Sequence, residues 1–155
     1  MRTFRLLPLL GLLMLPVLLR AQGEKFSPDD LDFIAKHWPQ AKESNTGIRY
    51  IIEEPGSGPT PRAGDLVYVN YSGRLLDGTV FDRRENPERP FSFRIDRFAV
   101  IAGWDQTLKL MRPGEKRLVI IPPELAYGTV GKIPTIPRNS TLVFEIVLRR
   151  VDREE

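Results

Sequence analysis

Past Gly47 the chain alternates apolar and polar residues at every second position, in short stretches that Gly and Pro repeatedly interrupt. That period matches a pleated strand with one buried face, which confines most of the chain to antiparallel β structure. Ile48–Glu53 predicts a first strand. Leu66–Ser72 predicts a second, with Val67, Val69 and Tyr71 on one face. Phe91, Phe93 and Ile95 alternate with Ser92 and Arg94; Val119 and Ile121 do the same, and Leu142, Phe144, Ile146 and Leu148 form the last strand. Pro55–Asp65 reads as a stiff loop, and Leu76-Asp77-Gly78-Thr79 as a turn by its Asp-Gly pair. One segment breaks the period. Val100–Met111 puts Ile101, Trp104, Leu108 and Met111 on one helical face before Pro113-Gly114 ends it. Five strands and one helix predict an α+β domain, a curved antiparallel sheet closing on the helix.

The N-terminus follows other rules. Arg2 and Arg5 precede an apolar run, Leu6–Leu19, and then Arg20 and Ala21. A basic start followed by such a run predicts an export signal over residues 1–21, cleaved after Ala21. The run is shorter than the roughly 20 residues of a membrane-spanning helix, and Pro8, Gly11 and Pro16 interrupt it; an uncleaved anchor is the alternative. The formal net charge of +3 on 155 residues belongs to this segment, because without Arg2, Arg5 and Arg20 acids and bases balance. A neutral remainder gives nucleic acid no basic surface to bind.

Residues 22–46 form a polar extension carrying one helix signal. Ser27 caps, Pro28 takes the first helical position, Asp29 and Asp30 follow, Leu31, Ile34 and Trp38 share a face, and Pro39 stops the helix. A short helix lying against the main domain, residues 47–152, is the expected arrangement, with a docking or dimerising arm as the alternative. The protein is expected to be a monomer.

Composition excludes several chemistries. With no cysteine there is no disulfide, no thiolate metal site and no cysteine nucleophile. The single histidine, His37, sits in the extension as a surface side chain, so neither a catalytic triad nor a multi-histidine metal site can be assembled. No phosphate-binding glycine loop occurs. Neither a metal nor a cofactor is expected. What remains is a set of aromatics in the domain: Tyr71, Phe81, Phe91, Phe93, Trp104, Tyr127 and Phe144. Such residues at strand and helix positions are either core or the walls of a partly open pocket shaped for a small apolar ligand such as a proline ring.

The order of the residues decides more. Val69-Asn70-Tyr71-Ser72-Gly73 and Leu76-Asp77-Gly78-Thr79-Val80-Phe81-Asp82 are followed by Pro90-Phe91-Ser92-Phe93, Val100-Ile101-Ala102-Gly103-Trp104-Asp105 and Met111-Arg112-Pro113-Gly114-Glu115-Lys116. Then come Ile121-Pro122-Pro123-Glu124-Leu125-Ala126-Tyr127-Gly128 and Ile136-Pro137-Arg138-Asn139-Ser140-Thr141-Leu142-Val143-Phe144. This series, from about Ile48 to Val151, resembles the FKBP-type peptidyl-prolyl cis-trans isomerases in content and spacing. The resemblance implies a five-stranded antiparallel half-barrel wrapped around one short helix, with a pocket between them.

Position by position, the resemblance implies that Trp104 is the pocket floor. Tyr71, Phe81, Phe91 and Phe144 would be its apolar walls, with Val100 and Ile101 alongside. The Ile101 N–H and the Tyr127 hydroxyl would donate hydrogen bonds to substrate carbonyls, Asp82 would stand at the edge, and Ile136 on a flap above. Asp82, Tyr127, Phe81, Ile101 and Trp104 are the expected catalytic set. The implied partners are proline-containing polypeptides, with macrolides of the FK506 and rapamycin type as ligands. Pro87 stands where many members carry arginine, Lys132 where many carry histidine, and Thr135 where an apolar residue is common; these predict weaker macrolide binding.

The residue types suit an isomerase on physical grounds. Rotation about an X–Pro bond meets a resonance barrier of about 18–20 kcal/mol. A water-free apolar cage disfavours the dipolar planar amide more than the twisted one, and needs no acid, base, nucleophile or metal. A binding module for proline-containing segments, with little catalysis, is the alternative. The leader and a C-terminus, Asp152-Arg153-Glu154-Glu155, unlike the usual endoplasmic-reticulum retention signal predict a bacterial periplasmic or extracellular protein.

Overall fold

The computed structural model describes residues 25–154, and the expected export segment, residues 1–21, lies outside them. The first element is the helix α1, Pro28–His37, whose boundaries follow from its caps. The Ser27 hydroxyl accepts the Asp30 N–H at 3.2 Å, Pro28 supplies a preset φ, and the acids Asp29 and Asp30 meet the positive end of the helix. Phe26, just before the cap, and Leu31 in the helix join the same apolar cluster and fix the direction of entry.

Among the described residues seven strands follow, with one α-helix and a short 3-10 turn (Pro123–Leu125) among them: β1 (Lys42–Glu43), β2 (Arg49–Glu54), β3 (Leu66–Leu75), β4 (Val80–Arg84), β5 (Phe91–Arg94), α2 (Ala102–Leu108), β6 (Lys116–Ile121) and β7 (Leu142–Asp152). All pairings are antiparallel, in the order β1-β2-β6-β7-β3-β4, with β5 also on β3. The strand count exceeds the expected five for a simple reason. β5 pairs with Leu66–Val69 and β4 with Tyr71–Arg74, so both share one lane beside β3, and β1 is a two-residue addition at the far edge. β4 carries no period-two signal in the sequence because its burial does not alternate.

Asn70 sits at the junction of the split lane. Its side-chain amide donates to the Arg84 and Asn86 carbonyls at 3.0 and 2.8 Å, and its carbonyl oxygen accepts from Arg149 Nε at 2.7 Å. The buried amide replaces the ladder bonds that the split leaves out.

Alternation along β6 and β7 divides the interior. Val119, Ile121, Leu142, Phe144, Ile146 and Leu148 face α2 and form the main core with Val67, Val69, Ile95, Leu108 and Met111. Leu118, Ile120 and Val143 face the other way, where Phe26, Ile34, Leu31 and Trp38 cover them. The helix of the extension thus lies against the back of the sheet, and β6 is apolar on both faces because both are covered. Thr141 Oγ1 donates to Asp30 Oδ2 at 2.6 Å across the same junction. His37 is exposed, with its ring stacked 3.8 Å from that of Phe33.

The helix expected over Val100–Met111 is regular only over Ala102–Leu108. Ile101 is its extended cap, and beyond Leu108 the chain tightens into turns that close Leu110 onto Thr107 and Met111 onto Leu108. The helix can lie close to the sheet because of Gly103, where a Cβ would come within 2.5 Å of Ile121 Cγ2.

Candidate active site

Between α2 and the concave side of the sheet lies a cleft of 380 Å³. Its lining includes Tyr71, Phe81, Asp82, Phe91, Val100, Ile101, Trp104, Tyr127, Ile136 and Phe144, together with Ala99, Lys132 and Thr135. Every residue that the resemblance assigns to the pocket therefore meets in one space, whereas Phe93 lies in the core. In the sequence Lys132 and Thr135 stand out only as departures from the family pattern, and Ala99 carries no signal.

The floor is Trp104, 4% exposed on the first turns of α2. Around it the rings meet mostly edge to face, the arrangement that aromatic quadrupoles favour. Tyr71 stands 4.8 Å from the indole at 83°, Phe144 5.3 Å at 82°, and Phe91 6.2 Å at 69°. Phe81 completes the wall against Phe144 at 5.5 Å and 86°. Strand parity supplies Tyr71 from β3, Phe91 from β5 and Phe144 from β7, each on the face turned toward α2.

Phe81 and Asp82 need a further device. They are consecutive in β4 and yet both line the cleft, which a regular strand forbids. Gly73 pairs with Asp82 and Arg74 with Val80, so Phe81 is an extra residue in a bulge. The bulge resets the parity and turns both side chains inward. Gly73 lies opposite, where a Cβ would come within 2.6 Å of Phe144 and 2.8 Å of Phe81. The glycine of Tyr71-Ser72-Gly73 leaves room for the two rings to touch.

The polar groups at the edge differ in their partners. The Tyr71 hydroxyl donates to Asp82 Oδ2 at 2.7 Å. Burial, and then this bond, push the Tyr71 hydroxyl pKa above the usual tyrosine range. The Tyr127 hydroxyl, by contrast, has no hydrogen-bond partner among the described residues, which leaves it free for a ligand. The Trp104 Nε1–H is buried without an acceptor. Lys132 Nζ lies 5.8 Å from the centre of the Tyr127 ring. The flap closes on itself through Lys132 N to Ile136 O and Ile136 N to Lys132 O, both 2.9 Å, with Ile136 turned in. Among the described residues no three His, Cys, Asp or Glu side chains converge as a metal site.

Asp105, next to the floor, serves the wall. It is buried, and its Oδ1 accepts the Asp96 N–H at 3.0 Å, tying the segment that leads to Ala99, Val100 and Ile101 onto α2. Burial raises its carboxyl pKa.

Residues 58–149 match the family described as FKBP-type peptidyl-prolyl cis-trans isomerase. The chain belongs to that family. The chain is 49% identical over 107 residues to the FKBP-type peptidyl-prolyl cis-trans isomerase FkpA of Escherichia coli; the match covers 69% of this chain and 38% of that protein. It is 39% identical over 109 residues to FK506-binding protein 1A of Aspergillus fumigatus, covering 70% of this chain and 97% of the relative. A crystal structure of a peptidyl-prolyl cis-trans isomerase from Pseudomonas syringae superposes with a TM-score of 0.71 at 39% identity, over 81% of this chain and 92% of that one. Escherichia coli FkpA superposes at 0.70 with 44% identity, over 80% and 56% of the two chains. The FKBP-type fold thus extends over the sheet, α2 and the cleft described above.

Proposed function

We propose that this protein catalyses cis-trans isomerisation of X–Pro bonds in polypeptides that fold after export. The observation that carries this reading is the wall of aromatic rings standing over Trp104 at the base of an open cleft, an apolar floor on which a proline ring fits. A planar amide entering that seat loses the water that stabilises its dipole. The twisted amide, with its less dipolar carbonyl, loses less, and the barrier falls by the difference. The Tyr127 hydroxyl and the Ile101 N–H hold carbonyls of the flanking peptide in a turn compatible with the twist. Asp82, oriented by Tyr71, presents its carboxylate at the edge where the amide dipole changes.

Export is supported by Arg2, Arg5 and the apolar run that follows, and makes a periplasmic or extracellular folding catalyst the fitting role. Proline-limited steps otherwise take roughly 10–100 s. Macrolides of the FK506 type are competing ligands for the same seat, as the name of the fungal relative suggests. Lys132 at the rim, where a more neutral group would contact them better, weakens that binding.

The test is acceleration of a proline-limited refolding reaction by the purified protein at micromolar concentration. Asp82→Ala and Phe81→Ala are expected to reduce kcat/KM about tenfold each, with circular dichroism unchanged. Absence of acceleration by the wild type would overturn the reading, and binding of a proline peptide without acceleration would replace it by that of a binding module.

A further inference from the structure

A second cavity, of 410 Å³, shares no lining residue with the cleft. α2 supplies one wall through Gln106 and Thr107, and the chain just beyond the helix adds Leu110. Tyr50 of β2 and Val119 of β6 supply another wall, beside Ile48. The turn that closes the remaining side is built, not slack. Ser44 Oγ accepts the N–H groups of Thr46 and Ile48 at 3.3 and 3.1 Å, and the Ser44 N–H donates to the Ile48 carbonyl at 2.9 Å. A preformed space of this size falls within the roughly 300–1,000 Å³ of small-molecule sites.

Its polar groups divide into two sets. Thr107 is 3% exposed, yet its hydroxyl has no hydrogen-bond partner among the described residues, and the buried Gln106 Oε1 has none either. The Tyr50 hydroxyl is likewise unpaired among them. Buried polar groups are normally paired, because burial takes away the hydrogen bonds they made to water. Trp104 Nε1, at the floor of the substrate cleft, is in the same condition. The charges around the cavity, by contrast, are neutralised within the fold. Glu43 pairs with Arg49 at 3.1 Å, Lys109 with Asp96 at 2.7 Å and Arg117 with Glu115 at 2.6 Å. The Arg117 guanidinium also lies 4.8 Å over the Tyr50 ring.

We propose that this cavity is a second ligand site, for a small neutral molecule that carries an amide on an apolar ring. The ring lies against Ile48, Tyr50 and Val119, and covers Leu110, which is otherwise 56% exposed. The amide answers what the wall lacks. Its N–H donates to Gln106 Oε1, and its carbonyl accepts from the Thr107 or the Tyr50 hydroxyl. Gln106 is only half-buried as a residue, so its side chain can turn to meet the ligand. A carboxylate or an amine would be desolvated there without a free countercharge. A purely apolar molecule would leave the wall groups unpaired. The site goes beyond the isomerase reading and does not depend on it.

Backbone amide NMR of the full protein tests the proposal with two probes. Indole-3-acetamide carries an uncharged amide on a bicyclic ring, and indole-3-acetate carries a carboxylate on the same ring. The amide is expected to give saturable shifts at residues 43–50, 106–110 and 117–119, with a Kd of about 1 mM or tighter. The carboxylate should bind there at least about tenfold more weakly. Thr107→Val removes the hydroxyl and keeps the shape, and Gln106→Met removes the amide; each is expected to weaken binding about fivefold. Because neither polar atom is bonded within the fold, both variants should melt within about 2 °C of the wild type. Shifts confined to Tyr71, Phe91 and Trp104 would place the amide in the cleft and overturn the second site. Equal binding of the two probes, a Kd that neither substitution changes, or no saturable shift at all would overturn it as well. A marked fall in the melting temperature of both variants would show these atoms to be bonded within the fold, with the same consequence.

Discussion

The Tyr71 hydroxyl and Asp82 Oδ2 are joined by a 2.7 Å hydrogen bond at the edge of the cleft, so the phenol that helps to wall the site also orients its carboxylate. The bond has a pH signature. Burial and the bond raise the tyrosine pKa in the folded state. A raised value gives stability that is fully present below the unfolded pKa of about 10 and is lost as pH rises through the folded value. The denaturation midpoint of the wild type is therefore expected to fall above pH ~10 more steeply than that of Tyr71→Phe. Coincident profiles for the two proteins would remove Tyr71 from this role.

Gly73→Ala tests the contact between Phe81 and Phe144. The added methyl group would intrude on both rings. Overpacking of this kind costs about 1–3 kcal/mol. Urea denaturation should register that loss, and kcat/KM should fall with it because the wall itself is displaced.

Intrinsic fluorescence offers a direct reading of the floor. The protein has two tryptophans. Trp104 lines the cleft, and Trp38 packs against the back of the sheet. Addition of a proline peptide is expected to change the emission of the wild type and of Trp38→Phe alike, and to leave Trp104→Phe silent. A signal lost in Trp38→Phe would place the ligand on the opposite face.

The extension should affect stability without touching catalysis. Ile34 is 5% exposed against Leu118, Ile120 and Val143. Ile34→Ala is expected to destabilise by about 2–5 kcal/mol. Below the melting transition its kcat/KM should equal that of the wild type.

Asp65 predicts a loss on acidification. Burial alone would raise its carboxyl pKa, but the Arg62 and Glu154 N–H groups and the Arg153 guanidinium outweigh burial and hold it below the usual carboxylate range. A depressed value gives stability present above the unfolded pKa of about 3.9 and lost as pH falls through the folded one. Asp65→Asn should therefore flatten the acid limb of the stability profile, measured by urea midpoints between pH 2 and 5 (roughly the span of the titration).

Much of this fold is legible in the amino-acid sequence itself, and the reasons are physical. Val67, Val69 and Tyr71, or Leu142 to Leu148, declare their strands because one face is buried and period two survives. Ser27 and Pro28 declare α1 because capping is local chemistry. The aromatics of the cleft could be gathered only through the resemblance, since rings at strand positions look alike whether they fill a core or line an opening. β4 stayed hidden because its exposed edge and its bulge erase the alternation. Asn70 and Asp105 stayed hidden as well. Their work is to bond groups far along the chain, Arg149 and Asn86 in one case and Asp96 in the other, and no local pattern records such partners.

The bulge at Phe81 makes this part of the cleft a matter of counting rather than of composition. Substitutions there change one side chain at a time, and the others keep their places. Loss of a single residue between Gly78 and Asp82 would restore a regular ladder opposite Gly73 and Arg74 and send either the ring or the carboxylate out to solvent. The length of this segment is therefore constrained by the geometry of the bulge, separately from the identity of the side chains it carries.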